Sequence, residues 1–167
     1  MSLGSSIRIG EMAVAKDDGV LRTLLGSCIG VALYDRVHRV AGLAHVVLPT
    51  SQGIPELPGK FMDTAIPALL DKMAQLVGRA VEPTARIAGG ANMFVTNMVY
   101  SIGKQNIEAS DRILRDMGIP IIGRHCGGER GRRMLLDVRS GVITIEVVGG
   151  DPVALHDRPR PVGVSHG

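Results

Sequence analysis

Cys28 to Tyr34 is an unbroken apolar run that stops at Asp35, and Arg39 to Leu48 answers it across the turn Asp35-Arg36-Val37-His38. Two such runs joined by a short polar turn read as an antiparallel β-hairpin. A hairpin brings the start of its first strand opposite the end of its second. Cys28 and His45 are therefore expected as cross-strand neighbours.

The rest of the chain supplies further strands and two helices. Glu11 to Ala15 and Leu21 to Leu25 are short strand candidates on either side of Asp17-Asp18-Gly19. Phe61, Ala65, Ile66, Leu69, Leu70, Met73, Leu76 and Val77 recur at helical spacing. Pro67 then has to sit in the first turn of that helix or kink it. Arg86 to Phe94 reads as a buried strand entering a glycine turn at Gly89-Gly90. Lys104 to Met117 is a second helix that Gly118 ends in the left-handed conformation. Ile119 to Gly123, Met134 to Val138 and Val142 to Val148 complete the strands, the last two joined by Arg139-Ser140-Gly141. Strands first, then helix, strand, helix and strands is not the regular alternation of a doubly wound fold. The pattern predicts an α/β chain of mixed sheets covered by helices.

With 167 residues, the chain is long enough for one core. The expected organisation is a lead-in over 1–6, one domain over 7–150 and a proline-rich tail over 151–167. No apolar run is long enough to span a membrane. Two Phe, two Tyr and no Trp leave the core to aliphatic side chains and argue against a nucleic-acid site built on stacking. The net charge of +3 resides in one segment, Arg124 to Arg139, where five arginines face Glu129 and Asp137. Two cysteines without a secretory leader point to a reducing compartment, the cytoplasm by default.

Cys28 follows Gly26-Ser27, and a glycine two residues before a thiol lets the backbone turn so that freed N–H groups face a developing oxyanion. A thiol with an imidazole as base and a hydroxyl as orienting group, here Thr23, is the equipment of acyl transfer. Each part also has a plainer reading. Cys28 fits a small core residue, His45 between Ala44 and Val46 fits a hydrogen-bonded structural histidine, and Thr23 fits an ordinary strand former. Adjacent residues in a strand point to opposite faces, so His125-Cys126 is poorly placed to be a nucleophile and its own base. No cysteine or histidine spacing suggests zinc. Gly127-Gly128-Glu129-Arg130-Gly131-Arg132-Arg133 lacks the lysine and the following helix of a phosphate loop. It reads either as a solvated turn or as a docking surface for an acidic partner.

Thr-Leu-Leu-Gly-Ser-Cys-Ile-Gly-Val, Gly-Leu-Ala-His-Val-Val-Leu-Pro, Phe-Met-Asp-Thr-Ala-Ile, Ile-Ala-Gly-Gly-Ala-Asn-Met, Ile-Gly-Lys-Gln-Asn and Gly-Gly-Glu-Arg-Gly-Arg-Arg occur in this order. Over roughly Ile7 to Val148 the chain resembles the CheD family, the chemoreceptor glutamine deamidases of bacterial chemotaxis. The resemblance implies a fold similar to cytotoxic-necrotizing-factor deamidase domains and a triad of Cys28, His45 and Thr23. Some members of that family have one more residue between the threonine and the cysteine. A slip of one residue turns a strand side chain to the other face unless a bulge absorbs it.

The implied reaction is hydrolysis of glutamine side-chain amides on chemoreceptor cytoplasmic helices through a thioester. Amides around Gly26, Ser27 and Cys28 would stabilise the oxyanion, and no cofactor or metal is expected. Gly89, Gly90 and Asn92 are candidates for lining the cleft, and equally for a tight turn. A CheC-type phosphatase is an implied partner of an expected monomer, with no nucleic acid and no membrane insertion. Two alternatives stand beside the deamidase: a transglutaminase-like acyl transferase, and a non-enzymatic adaptor that binds the phosphatase.

Overall fold

The computed structural model describes residues 4–92 and 101–155. Met93 and Phe94, read as the end of a strand and turn, lie outside the described residues, as do residues 1–3 of the lead-in and the tail beyond 155. The strands are β1 (Ser5–Ser6), β2 (Met12–Lys16), β3 (Val20–Leu25), β4 (Ile29–Asp35), β5 (Val40–Val46), β6 (Thr84–Gly89), β7 (Ile121–Cys126), β8 (Arg132–Asp137), β9 (Ile143–Val147) and β10 (Pro152–Leu155). The helices are α1 (Met62–Val77) and α2 (Ile102–Asp116).

The strands form two mixed five-stranded sheets in the orders β1-β3-β8-β9-β10 and β2-β5-β4-β6-β7. This is the α/β architecture of mixed sheets and covering helices that the element order implied. The β4–β5 hairpin lies at the heart of the second sheet and is buried along its whole length. That is why both runs are continuously apolar rather than alternating. Ile29, Val31 and Leu33 of β4 and Ala44 and Val46 of β5 join Met62, Ile66, Leu69 and Met73 of α1 in one core. Ala32, Tyr34, Ala41 and Leu43 face the other way, onto Leu21, Leu25, Met134, Leu136, Ile143 and Ile145 of the first sheet. Helices, second sheet and first sheet are thus three layers, and the period-two pleat decides which layer each side chain meets.

Two features fix the hairpin in its surroundings. Gly30 lacks a side chain on the face that meets the first sheet, and a Cβ there would sit 2.7 Å from Met134 Sδ. Asp35 ends β4 with a carboxylate that accepts from the His38 backbone N–H and Nδ1 and from the Glu82 N–H. Burial pushes its carboxyl up, but these bonds outweigh burial and hold it below the ordinary value.

Several boundaries differ from the sequence reading. The turn Asp17-Asp18-Gly19 stands where it was read, and because β2 pairs with β5 and β3 with β8 it carries the chain from one sheet to the other. Pro67 lies in the second turn of α1, on its exposed side, and the helix continues through it. There the missing N–H costs one bond, to the Asp63 carbonyl, while Ala65, Ile66 and Leu69 keep the buried face packed. The second helix begins earlier than Lys104, because the Ser101 side chain accepts the Lys104 N–H and caps it. Gly118 follows with φ of 72°. The β7 strand runs on through His125 and Cys126, drawn out by parallel pairing with Ala88 and Gly89. Two short strands fall outside 7–150: Ser5–Ser6 beside β3 and Pro152–Leu155 beside β9.

Candidate active site

His45 lies on the face of β5 that meets the first sheet, alternating with Ala44 and Val46, which face α1. Thr23 is inward on β3 of the opposing sheet, between outward Arg22 and Leu24. The two side chains meet across the layers, with Thr23 Oγ1 2.7 Å from His45 Nδ1. The shorter Thr23-to-Cys28 stretch has therefore not turned the threonine to the wrong face.

The same hydroxyl donates to the Ile7 carbonyl at 2.7 Å. A hydroxyl has one proton, so towards His45 its oxygen is the acceptor, and Nδ1 carries the imidazole proton. Nε2 is left with its lone pair. Burial lowers the His45 pKa, which keeps the ring neutral and able to act as a base.

The hairpin register pairs His45 with Gly30. Continuing it one step sets Cys28 opposite Val47, so Cys28 is the diagonal cross-strand neighbour of His45 on one face. A diagonal pair spans about 7–8 Å between Cα atoms and less between the side chains. The absence of a Gly30 side chain leaves nothing on β4 between the two. Burial raises the Cys28 thiol above its ordinary value. Both groups thus rest uncharged, an arrangement in which the base takes the thiol proton during attack instead of holding a preformed ion pair.

The loop 26–28 is tied down from behind by its carbonyls. Ala91 N–H donates to Gly26 at 3.0 Å and Gly90 N–H to Cys28 at 2.9 Å. Asn106 Nδ2 donates to Ser27 O at 3.2 Å and to Val47 O at 2.8 Å, joining the loop to the end of β5. None of the described peptides is cis. In a trans peptide N–H and C=O point opposite ways, so the Ser27 and Cys28 N–H groups face away from these interior donors. That is the disposition an oxyanion site needs.

The glycine turn packs against the Cys28 carbonyl. Gly89 has φ of 105°, and a Cβ on it would lie 2.1 Å from the Cys28 carbonyl oxygen. The Gly90 N–H already has Cys28 O as its acceptor. Asn92 is exposed, and its N–H donates to Gly128 O at 2.8 Å.

Sequence reasoning missed Asn106 and the true place of Arg132. Asn106 is fully buried within a helix, and a buried amide in the Ile-Gly-Lys-Gln-Asn motif was the available signal. Arg132 is buried too. Its guanidinium donates to the carbonyls of His125 and Arg130 at 2.6 and 3.3 Å and to Gly127 O, and it meets His125 Nδ1 at 2.9 Å. It holds the 125–131 loop, which in turn binds Gly89 O and the Asn92 N–H. It is therefore not part of an exposed docking patch. Cys126 Sγ donates to Ile87 O at 3.7 Å among the α-facing core, and burial pushes its thiol to about 11. His125 and Cys126 remain on opposite sides of β7, as alternation requires.

A half-buried thiol, a neutral imidazole of fixed tautomer and two outward-turned amides are the parts that thiol-dependent acyl-transfer chemistry requires, carried here on an α/β scaffold. Residues 47–147 match the family described as CheD chemotactic sensory transduction. The probable chemoreceptor glutamine deamidase CheD of Methanococcus maripaludis (strain C6) is 43% identical over 141 residues, covering 83% of this chain and 92% of the relative. The chemoreceptor glutamine deamidase CheD of Thermotoga maritima is 40% identical over 145 residues, covering 86% and 92%. The probable chemoreceptor glutamine deamidase CheD of Desulforamulus reducens is 42% identical over 149 residues, covering 86% and 90%. The chain belongs to the CheD family. No described helix is long and apolar enough to cross a membrane.

Proposed function

We propose that this protein hydrolyses glutamine side-chain amides of chemoreceptors to glutamates, with Cys28 as nucleophile, His45 as acid and base, and Thr23 as the group that sets the imidazole tautomer. The observation that carries this reading is the relay from Ile7 O through Thr23 to His45 Nδ1, which leaves Nε2 unprotonated on the face that Cys28 shares. His45 takes the thiol proton as sulfur attacks the carboxamide carbon, and the Ser27 and Cys28 N–H groups receive the developing oxyanion. The C–N bond then breaks, His45 returns the proton to the departing ammonia, and the acyl group remains as a thioester. Water deprotonated by the same nitrogen adds to the thioester carbon, and its collapse releases glutamate and the thiol. Similarity to deamidases over most of the chain supports water, not an amine, as the acceptor.

We further propose that the protein works as a monomer in the cytoplasm and that a CheC-type phosphatase binds it. Receptor cytoplasmic fragments incubated with the protein should gain about 1 Da per converted glutamine, the difference between amide and acid products of this acyl transfer. Fragments that gain no mass, or gain it equally with Cys28→Ala, would refute the assignment. A mass gain matching an added amine instead would establish the transferase.

A further inference from the structure

Leu24 is the side chain on β3 that alternation sends outward next to Thr23, and it is 59% exposed. Single exposed leucines are ordinary. This one differs by what lies to either side. One groove beside it is lined by His45, Ile7, Ile9 and Arg8, and the other by Gly26, Arg130 and Val148. Leu24 is the ridge between the groove that reaches the candidate base and the groove that reaches the start of the nucleophile loop. Val148, also 59% exposed, gives the second groove an apolar wall. Arg130 stands on its rim and makes no ion pair among the described residues, whereas Arg8 on the other side is paired with Glu11.

We propose that Leu24 and Val148 dock an aliphatic side chain of the receptor segment that carries the reactive glutamine, and that Arg130 meets an acidic side chain of the same segment. This rests on the deamidase reading for its choice of occupant. A polypeptide that delivers a carboxamide between His45 and the 26–28 loop lies across Leu24, because the two grooves border that residue in common. Covering a leucine and a valine removes apolar area from water and supplies affinity that a lone glutamine lacks. An unpaired guanidinium at the edge contributes encounter rate and a salt-dependent preference for acidic segments. Glu129 on the same rim disfavours segments with acid on its side, which would orient the bound chain.

The test measures binding of a receptor cytoplasmic fragment to Cys28→Ala protein, alone and combined with Leu24→Asp or Arg130→Glu. It also measures kcat/KM of otherwise wild-type Leu24→Asp on that fragment and on a short glutamine peptide. Leu24→Asp should weaken fragment binding at least about tenfold, the factor that burial of most of one leucine supplies. The ratio of fragment to peptide kcat/KM should fall by a similar factor. Arg130→Glu should weaken binding at low salt more than at high salt. Val37→Asp, an exposed apolar position on the hairpin turn at the far end of β4, should change neither measurement. Unchanged binding and an unchanged ratio with Leu24→Asp would overturn the docking face even if ammonia is released normally. Weakened binding with no ammonia released by wild type would uphold the docking face and overturn the deamidase.

Discussion

The Thr23 hydroxyl and His45 Nδ1 are 2.7 Å apart, although one side chain comes from each sheet and twenty-one residues separate them in the chain. Because the hydroxyl also donates to Ile7 O, the bond has a direction, and that direction decides which imidazole nitrogen faces the chemistry.

Thr23→Val should therefore lower kcat by about 10–10² while leaving KM nearly unchanged, since it removes the acceptor for Nδ1–H without changing shape greatly. Thr23→Ser should keep most of the activity. Equal kcat for the valine and serine variants would show that the relay does not orient the ring.

Replacing the two reacting groups should cost more. Cys28→Ala should abolish ammonia release and His45→Ala should reduce it by about 10²–10⁴. Cys126→Ala should keep kcat close to wild type, and Cys126 should be alkylated far more slowly than Cys28 at neutral pH, because burial pushes its thiol to about 11. Mass-mapped iodoacetamide labelling reads both thiols. Faster labelling of Cys126 would contradict the burial that separates them.

Burial lowers the His45 pKa, so the base form persists to more acidic pH than an ordinary imidazole near 6.5. The acid limb of kcat/KM should have its midpoint below that value. The same shift bears on stability. The unfolded chain binds the proton first, so His45's contribution is complete above about 6.5 and is lost as pH falls from there through the lower folded value. Urea unfolding should show His45→Gln losing less stability than wild type between about pH 7 and pH 5. A steeper loss in the variant would reverse the sign.

The supports behind the nucleophile loop should separate from the surface charges around them. Asn106→Asp replaces the shared donor with a carboxylate facing Ser27 O and Val47 O, and should cost about 1–3 kcal/mol with a matching fall in kcat. Arg132→Glu should be as damaging, because its carbonyls lose their donor and a buried carboxylate replaces it. Thermal melts should show Arg133→Glu, at an exposed strand position, within about 0.5 kcal/mol of wild type.

The local pattern of residues 28–48 was enough to fold the hairpin and to put Cys28 and His45 on neighbouring strands, and alternation along β7 was enough to set His125 apart from Cys126. These follow from a period-two pleat and a turn, which act over a few residues. The helical spacing in 61–77 and the Gly118 stop were legible for the same reason. What local pattern could not supply was the distance from Thr23 to His45, because it depends on how two sheets stack and on where the 26–28 loop enters the second of them. Asn106 and Arg132 were hidden for a related reason. Each satisfies carbonyls of segments remote in sequence or in a folded-back loop, and a polar residue's partners become definite only when tertiary packing removes water and leaves those carbonyls as its acceptors.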